Sequence, residues 1–271
     1  MSTTLHKIQI PSIEDFGAEY YFQNSTDKQP PRVFPPHIHD TIEFYVLIDG
    51  NVSFMVENVI YKMSKGDIVM SKPNEIHNCI INADSIHKHL CLWFNPSCNF
   101  LFSDFLNHDF AKGNLISPSE SDKEKLATLY LQLSKSTEEK DEKARFVTLL
   151  DILQIFEKNM ASDYTLTNVP HVLSEILNEI NKNFTSITSL NYFTDKYFIS
   201  QSTLNRLFKH HLHTSPKMYL ETKKLAYSRM LLKEGMPVAD ACALAGFSDY
   251  SNFIRLFRLR FGITPNKYRK K

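Results

Sequence analysis

Two short stretches of this 271-residue chain carry side chains whose chemistry suits the edges and phosphates of a nucleic-acid groove. The first holds Ser202, Asn205, Arg206 and Lys209; the second holds Tyr250, Ser251, Ile254, Arg255 and Arg258. An arginine can bond a guanine through two N–H groups, an asparagine pairs with adenine in the same two-pronged way, and serine or tyrosine hydroxyls reach phosphate. Such residues act only if a rigid element presents them together.

The element is legible in the apolar residues between them. Leu204, Leu207 and Phe208, and then Phe253, Leu256 and Phe257, recur at i, i+3 and i+4, which gives each stretch a helix with one core face and one polar, basic face. Ahead of each lies a short apolar helix and a tight turn, at Tyr197-Phe198-Ile199-Ser200 and at Ala245-Gly246-Phe247-Ser248. Helix, three- or four-residue turn and second helix is the helix-turn-helix arrangement, whose second member enters the major groove of DNA. The two copies are related by an offset of 49 residues, which places Ser202, Leu204, Arg206, Leu207, Phe208 and Lys209 on Ser251, Phe253, Arg255, Leu256, Phe257 and Arg258, and Pro216 and Tyr219 on Pro265 and Tyr268. A period of that length marks a duplicated supersecondary unit.

The surrounding sequence fits such a unit. Residues 170–271 are expected to form seven helices, 172–183, 190–197, 201–212, 217–234, 238–245, 251–261 and 265–269, joined by short turns into one all-α domain. The connecting helix 217–234 is about 27 Å long at 1.5 Å per residue, against about 34 Å between groove segments on one DNA face. Charge divides at the same boundary: residues 170–271 hold 16 Lys+Arg and 7 Asp+Glu, whereas residues 1–169 hold 15 and 23. A net charge of +1 over the whole chain conceals a basic half built to meet a polyanion.

Gly246-Phe247-Ser248-Asp249 through Phe253, Arg255, Phe257, Phe261-Gly262, Pro265 and Tyr268-Arg269 resembles the signature of the AraC/XylS transcription regulators. The resemblance covers about a hundred residues and implies a seven-helix domain with two helix-turn-helix units on one DNA face, joined to an effector-binding or dimerising domain. It places the base or phosphate contacts on Ser202, Asn205 and Arg206, and on Tyr250, Ser251, Ile254 and Arg255. Thr194 and His213 stand where the family often has Ala and Gly, and Cys242 takes another usual Ala position; the first copy, with Phe198 and His213 at its turn and end, departs further from the pattern.

The acidic half opens a second site. His37-Ile38-His39, Glu43 and Gly50, followed by Gly66, Pro73 and His77, resemble the paired cupin motifs in spacing. In metal-binding cupins the two histidines, the Glu and the last His are the ligands, and three imidazoles with one carboxylate suit Fe, Mn, Ni or Zn. His37, His39 and Glu43 have the parity to share one strand face. Three uses stay open: polar lining of a ligand pocket, a bound metal, or purely structural histidines. The assignment carried forward is effector binding by His37, His39, Glu43 and His77, with no metal and no cofactor. His87 and His89 are expected on the strand surface.

Around these motifs, residues 32–94 read as short strands rich in Val, Ile, Phe and Tyr, separated by turn signals such as Asp49-Gly50-Asn51 and Lys65-Gly66. The middle carries two amphipathic helices, through Leu126–Leu133 and Phe146–Phe156, whose apolar faces either cover the barrel or pair two subunits. Cys79, Cys91, Cys98 and Cys242 lack paired spacing and are expected to be reduced packing residues. No run of about 18 apolar residues and no leader-like start occurs, so the expected compartment is the cytoplasm, without membrane contact.

The expected fold class is therefore α+β with two domains: a small cupin-like β-barrel with following helices, then an all-α domain with two helix-turn-helix units. Residues 1–110 form the effector-binding part, 111–169 a helical dimerisation or linker region, and 170–271 the DNA-binding domain. The function expected is a sequence-specific transcription regulator, not an enzyme, which senses a small molecule such as a sugar or related metabolite. Its partners would be double-stranded DNA, the effector, a second copy of itself and, for an activator, RNA polymerase. The alternative is a metal-dependent cupin enzyme or metal sensor fused to a DNA-binding domain.

Overall fold

The computed structural model describes residues 6–9, 17–24, 28–29, 31–34, 36–57, 59–95, 98, 101–106, 113–160, 170–212 and 214–270. The chain divides into two compact units: Met1–Phe34 with Asp40–Thr167, and Asn168–Lys271 with the short segment Pro35–His39.

The first unit is built on two antiparallel sheets. One takes its strands in the order β1 (His6–Gln9), β2 (Gly17–Asn24), β9 (Lys88–Phe94), β4 (Ile42–Asp49), β7 (Ile68–Ser71) and β10 (Leu115–Ile116). The other runs β3 (Arg32–Val33), β8 (His77–Ile81), β5 (Val52–Val56) and β6 (Val59–Lys62). Among the described residues the expected small barrel is thus a pair of sheets rather than a closed ring of strands.

Strand β4 explains how the layers stack. Its residues 42–47 are all buried, because alternate side chains enter two different cores. Tyr45 and Leu47 join Val52, Phe54, Val56, Val59, Tyr61, Cys79 and Cys91 between the two sheets. Ile42, Phe44 and Val46 point the other way, into a core with Leu126, Tyr130 and Leu133 of α2 (Glu120–Glu138) and Leu149, Ile152 and Phe156 of α3 (Glu142–Asn159). The apolar faces of the two middle helices therefore cover the six-stranded sheet. Ser119 and Asp141 cap α2 and α3 by accepting from the N–H of Asp122 and Ala144. Asp122, buried at the start of α2, accepts from Lys158 Nζ (2.9 Å) and Asn159 Nδ2 (3.1 Å) near the end of α3, which closes the hairpin. A four-residue helix, α1 (Ser103–Leu106), sets Phe105 into the first unit.

Among its described residues the second unit contains seven helices: α4 (His171–Asn183), α5 (Asn191–Tyr197), α6 (Gln201–His211), α7 (Pro216–Lys233), α8 (Val238–Leu244), α9 (Tyr250–Phe261) and α10 (Pro265–Arg269). These match the seven expected spans to within about two residues at each end. Helix α7 is buried over most of its surface, from Tyr219 and Leu220 to Lys224, Leu225, Ser228, Arg229 and Leu232, because both helix-turn-helix pairs pack around it. Its missing amphipathic stripe follows from that central place.

Candidate nucleic-acid interface and effector site

Each recognition helix is held by the same local chemistry. The hydroxyl of Ser200 accepts from the N–H of Thr203 at 3.1 Å and caps α6; the carboxylate of Asp249 accepts from the N–H of Asn252 at 2.9 Å and caps α9. Leu204 and Phe208 anchor α6 in the core, and Phe253 and Phe257 anchor α9, all four with no exposed surface. With that face fixed, Ser202, Asn205, Arg206 and Lys209 are exposed on α6, and Tyr250, Ser251, Arg255 and Arg258 on α9, with Ile254 half-buried beside them.

Local bonds already shape these faces. Ser202 Oγ lies 2.8 Å from the capping hydroxyl of Ser200, and the Arg255 guanidinium donates to Asn252 Oδ1 at 2.7 Å. The second bond holds Arg255 along its helix and leaves further N–H donors for a bidentate partner. The turns ahead of the two helices differ. The residue in the left-handed region is Phe198 in the first (φ 51°) and Gly246 in the second (φ 81°). Helix α9 stops at Gly262 in the same region (φ 72°), whereas α6 ends at His211 and is capped by Leu212; His213 lies outside the described residues.

Of the four residues singled out by the cupin-like spacing, Glu43 and His77 come together in the first unit, and His37 and His39 lie on the short segment Pro35–His39 of the second. Glu43, on β4, is buried; it accepts from Trp93 Nε1 at 2.7 Å and pairs with His77 Nε2 at 3.3 Å. His77, on β8, is fully buried, and its Nδ1 lies 2.9 Å from the carbonyl of Glu75, which makes Nδ1 the donor there. Burial opposes a charge on His77, but the hydrogen bond and attraction from Glu43 outweigh it, so its pKa is raised. His37 and His39 are half-buried, with ring centroids 6.0 Å apart.

The expectation of surface positions for His87 and His89 is corrected by the fold. Both are buried, at 3% and 4% exposure, and their rings stack with centroids 4.5 Å apart. Tyr45 Oη lies 2.6 Å from His87 Nε2, and Tyr21 Oη lies 3.0 Å from His89 Nε2. Burial pulls the two pKa values down to about 4 and about 3, the charge of His87 adding to the shift of His89, so both imidazoles are neutral near pH 7. In the β4–β9 register Glu43, Tyr45 and Leu47 oppose Trp93, Cys91 and His89, which puts all six on the inner face. Cys79, Cys91, Cys98 and Cys242 are free and buried. Burial raises Cys79 to about 12 and Cys91 well above its ordinary value, so these inner thiols stay protonated.

Around the Glu43 carboxylate the interior of the first unit thus holds aromatic rings, neutral imidazoles and thiols. Such groups can stack on and hydrogen-bond a small organic ligand. Among the described residues, no helix is long and apolar enough to cross a membrane.

Both halves of the chain resemble known families. Residues 25–101 match the family described as AraC-like ligand binding domain, and residues 193–271 match the family described as helix-turn-helix domain. The chain is 24% identical over 262 residues to the HTH-type transcriptional activator RhaS of Enterobacter sp. (strain 638), covering 89% of each chain. It is 21% identical over 279 residues to the HTH-type transcriptional activator RhaR of Pectobacterium carotovorum, covering 100% of this chain and 98% of the relative. Among solved structures, ToxT from Vibrio cholerae O395 aligns with 95% of this chain and 98% of its own at 13% identity and a TM-score of 0.38, too low to compare how the units are arranged. With both halves matched in this order, the chain belongs to the AraC/XylS family of transcription regulators, an AraC-like ligand-binding domain preceding a double helix-turn-helix DNA-binding domain.

Proposed function

We propose that this regulator reads DNA through Ser202, Asn205, Arg206 and Lys209 of α6 and Tyr250, Ser251, Ile254, Arg255 and Arg258 of α9, under the control of a small effector held by His37, His39, Glu43 and His77. The observation that carries the reading is the pair of capped helices, each anchored by two buried residues and presenting an exposed basic face from one all-α unit. Residues 1–110 form the effector part, 111–169 the helical region and 170–271 the DNA-binding part. A sugar or related metabolite suits the effector site, because aromatic rings and neutral imidazoles offer stacking and hydrogen bonds beside the Glu43 carboxylate.

The protein acts in the cytoplasm as an activator, with RNA polymerase as its partner, and carries out no catalysis. Two copies pair through α2 and α3, where Leu131, Val147 and Leu150 remain exposed at 74%, 49% and 38%. The test is a DNA-binding titration with and without candidate sugars on a duplex selected by the protein from a random library. A salt-dependent, sequence-specific affinity that a sugar changes is the expected result; a salt slope near zero with no sequence preference contradicts the reading.

A second reading rests on the chemistry of that effector set: three imidazoles and one carboxylate suit a transition-metal ion as the sensed species. Metal analysis of the purified protein separates the two: near-stoichiometric metal supports the ion, and sub-stoichiometric metal the organic effector.

A further inference from the structure

Lys224 lies midway along α7 and is only 6% exposed. Its ammonium donates to two main-chain carbonyls, Ile187 at 2.8 Å and Gly246 at 2.8 Å, and stands 6.0 Å from the centroid of the Phe247 ring. The two acceptors belong to different units of the repeat. Ile187 is in the lead-in between α4 and α5 of the first helix-turn-helix, and Gly246 is in the turn of the second.

A buried cation is costly unless its donors are used, and an apolar residue would fill the same core position without that cost. What a lysine adds is direction: two charge-assisted bonds from one atom fix two backbone segments relative to each other. The surroundings make those bonds matter. A cleft of about 320 Å³, with Thr188, Ser189, Phe247, Ser248 and Asp249 in its walls, opens beside them, so the junction between the two units there is not a continuous apolar packing.

We propose that Lys224 is a positioning residue that sets the register between α6 and α9, and with it the half-site spacing that the protein accepts in DNA. This rests on the reading that both helices enter the groove. One base pair inserted between two contacted blocks turns the second block by about 35° and moves it by about 3.4 Å. A rigidly registered pair of helices cannot follow that change; a loosened pair can.

The test uses the full chain and three duplexes: one selected by the wild-type protein from a random library, and two derivatives with one base pair inserted or deleted between the contacted blocks. The wild type is expected to bind the altered duplexes about tenfold more weakly or worse. Lys224→Gln is expected to bind the selected duplex more weakly than the wild type, yet to bind all three within about threefold of one another, and Lys224→Met serves the same comparison if K224Q does not fold. Lys224→Arg, which keeps the charge and the donors, should restore discrimination. A general loss of folded protein would weaken all three duplexes equally and leave their ratios unchanged, so a folded K224Q or K224M with the wild-type ratios overturns the proposal. A wild type that binds all three alike overturns the two-helix reading itself.

Discussion

The α-carbon of Gly246 is packed so closely against the Thr185 carbonyl that any Cβ on it would fall far inside contact distance of that oxygen. Its φ of 81° is also one that L side chains rarely adopt. Gly246→Ala therefore combines a backbone clash with left-handed strain, and is expected to destabilise the second unit by about 2–4 kcal/mol. Chemical denaturation followed by circular dichroism would show it; an unchanged midpoint would mean that the turn is looser than this contact implies.

Phe198 presents the opposite case. It holds the left-handed conformation in the first turn (φ 51°) while 95% exposed, so its ring returns no packing for the strain. Phe198→Gly is expected to raise stability, or leave it unchanged, within about 1 kcal/mol, because relief of strain competes with the greater freedom of an unfolded glycine. A loss of more than about 2 kcal/mol would reveal that the ring packs in solution.

Arg255 and Phe257, two residues apart on α9, should fail differently. Arg255→Ala is expected to leave folding intact, weaken specific DNA binding by about 1–3 kcal/mol and relax one base position. Equal weakening on every sequence would make Arg255 a phosphate contact. Phe257, fully buried and packed edge-on against Phe253, Phe261 and Tyr268, should cost about 3–5 kcal/mol of stability as Ala, read from the denaturation midpoint.

The histidine pair sets a pH dependence. His87 and His89 have pKa values depressed to about 4 and about 3, against about 6.5 in an unfolded chain. Between those values the unfolded state binds more protons, so stability falls as pH drops from about 6.5 toward 5, by up to about 1.4 kcal/mol per pH unit for each histidine. His77 has the opposite sign: its raised pKa gives stability present below the unfolded value and lost as pH rises through the folded one, so it adds little slope within this window. Denaturation midpoints of wild type and His89→Asn between pH 5 and 7 test this, with a shallower slope expected for the variant. Parallel slopes would contradict the buried, neutral state of His89.

What the sequence made legible, and what it hid, follows from how each signal is written. The repeat was readable because both recognition helices need the same things at the same spacing: a capping residue (Ser200, Asp249), two aromatic or aliphatic anchors, and an exposed arginine (Arg206, Arg255). The pairing of Glu43 with His77 was readable as a spacing, although the two lie on different sheets. Strand β9 was harder. Its Leu90, Leu92 and Phe94 fill one core while His89 and Cys91 fill the other, and burial on both faces erases the apolar–polar alternation that would have placed His89 inside. Lys224 was hidden for another reason: a lysine in a helix reads as solvated, and only the carbonyls of Ile187 and Gly246, distant in sequence, make it a buried donor.

The central claim is that one chain reads DNA with two helices at once. The most direct measurement is selection of binding sites from a random duplex library by the wild type, Arg206→Ala and Arg255→Ala, followed by sequencing. Each variant is expected to lose preference at its own block of positions, the two blocks lying about 10 base pairs apart, while keeping the other. Loss of preference at one shared block, or at none, would contradict the account.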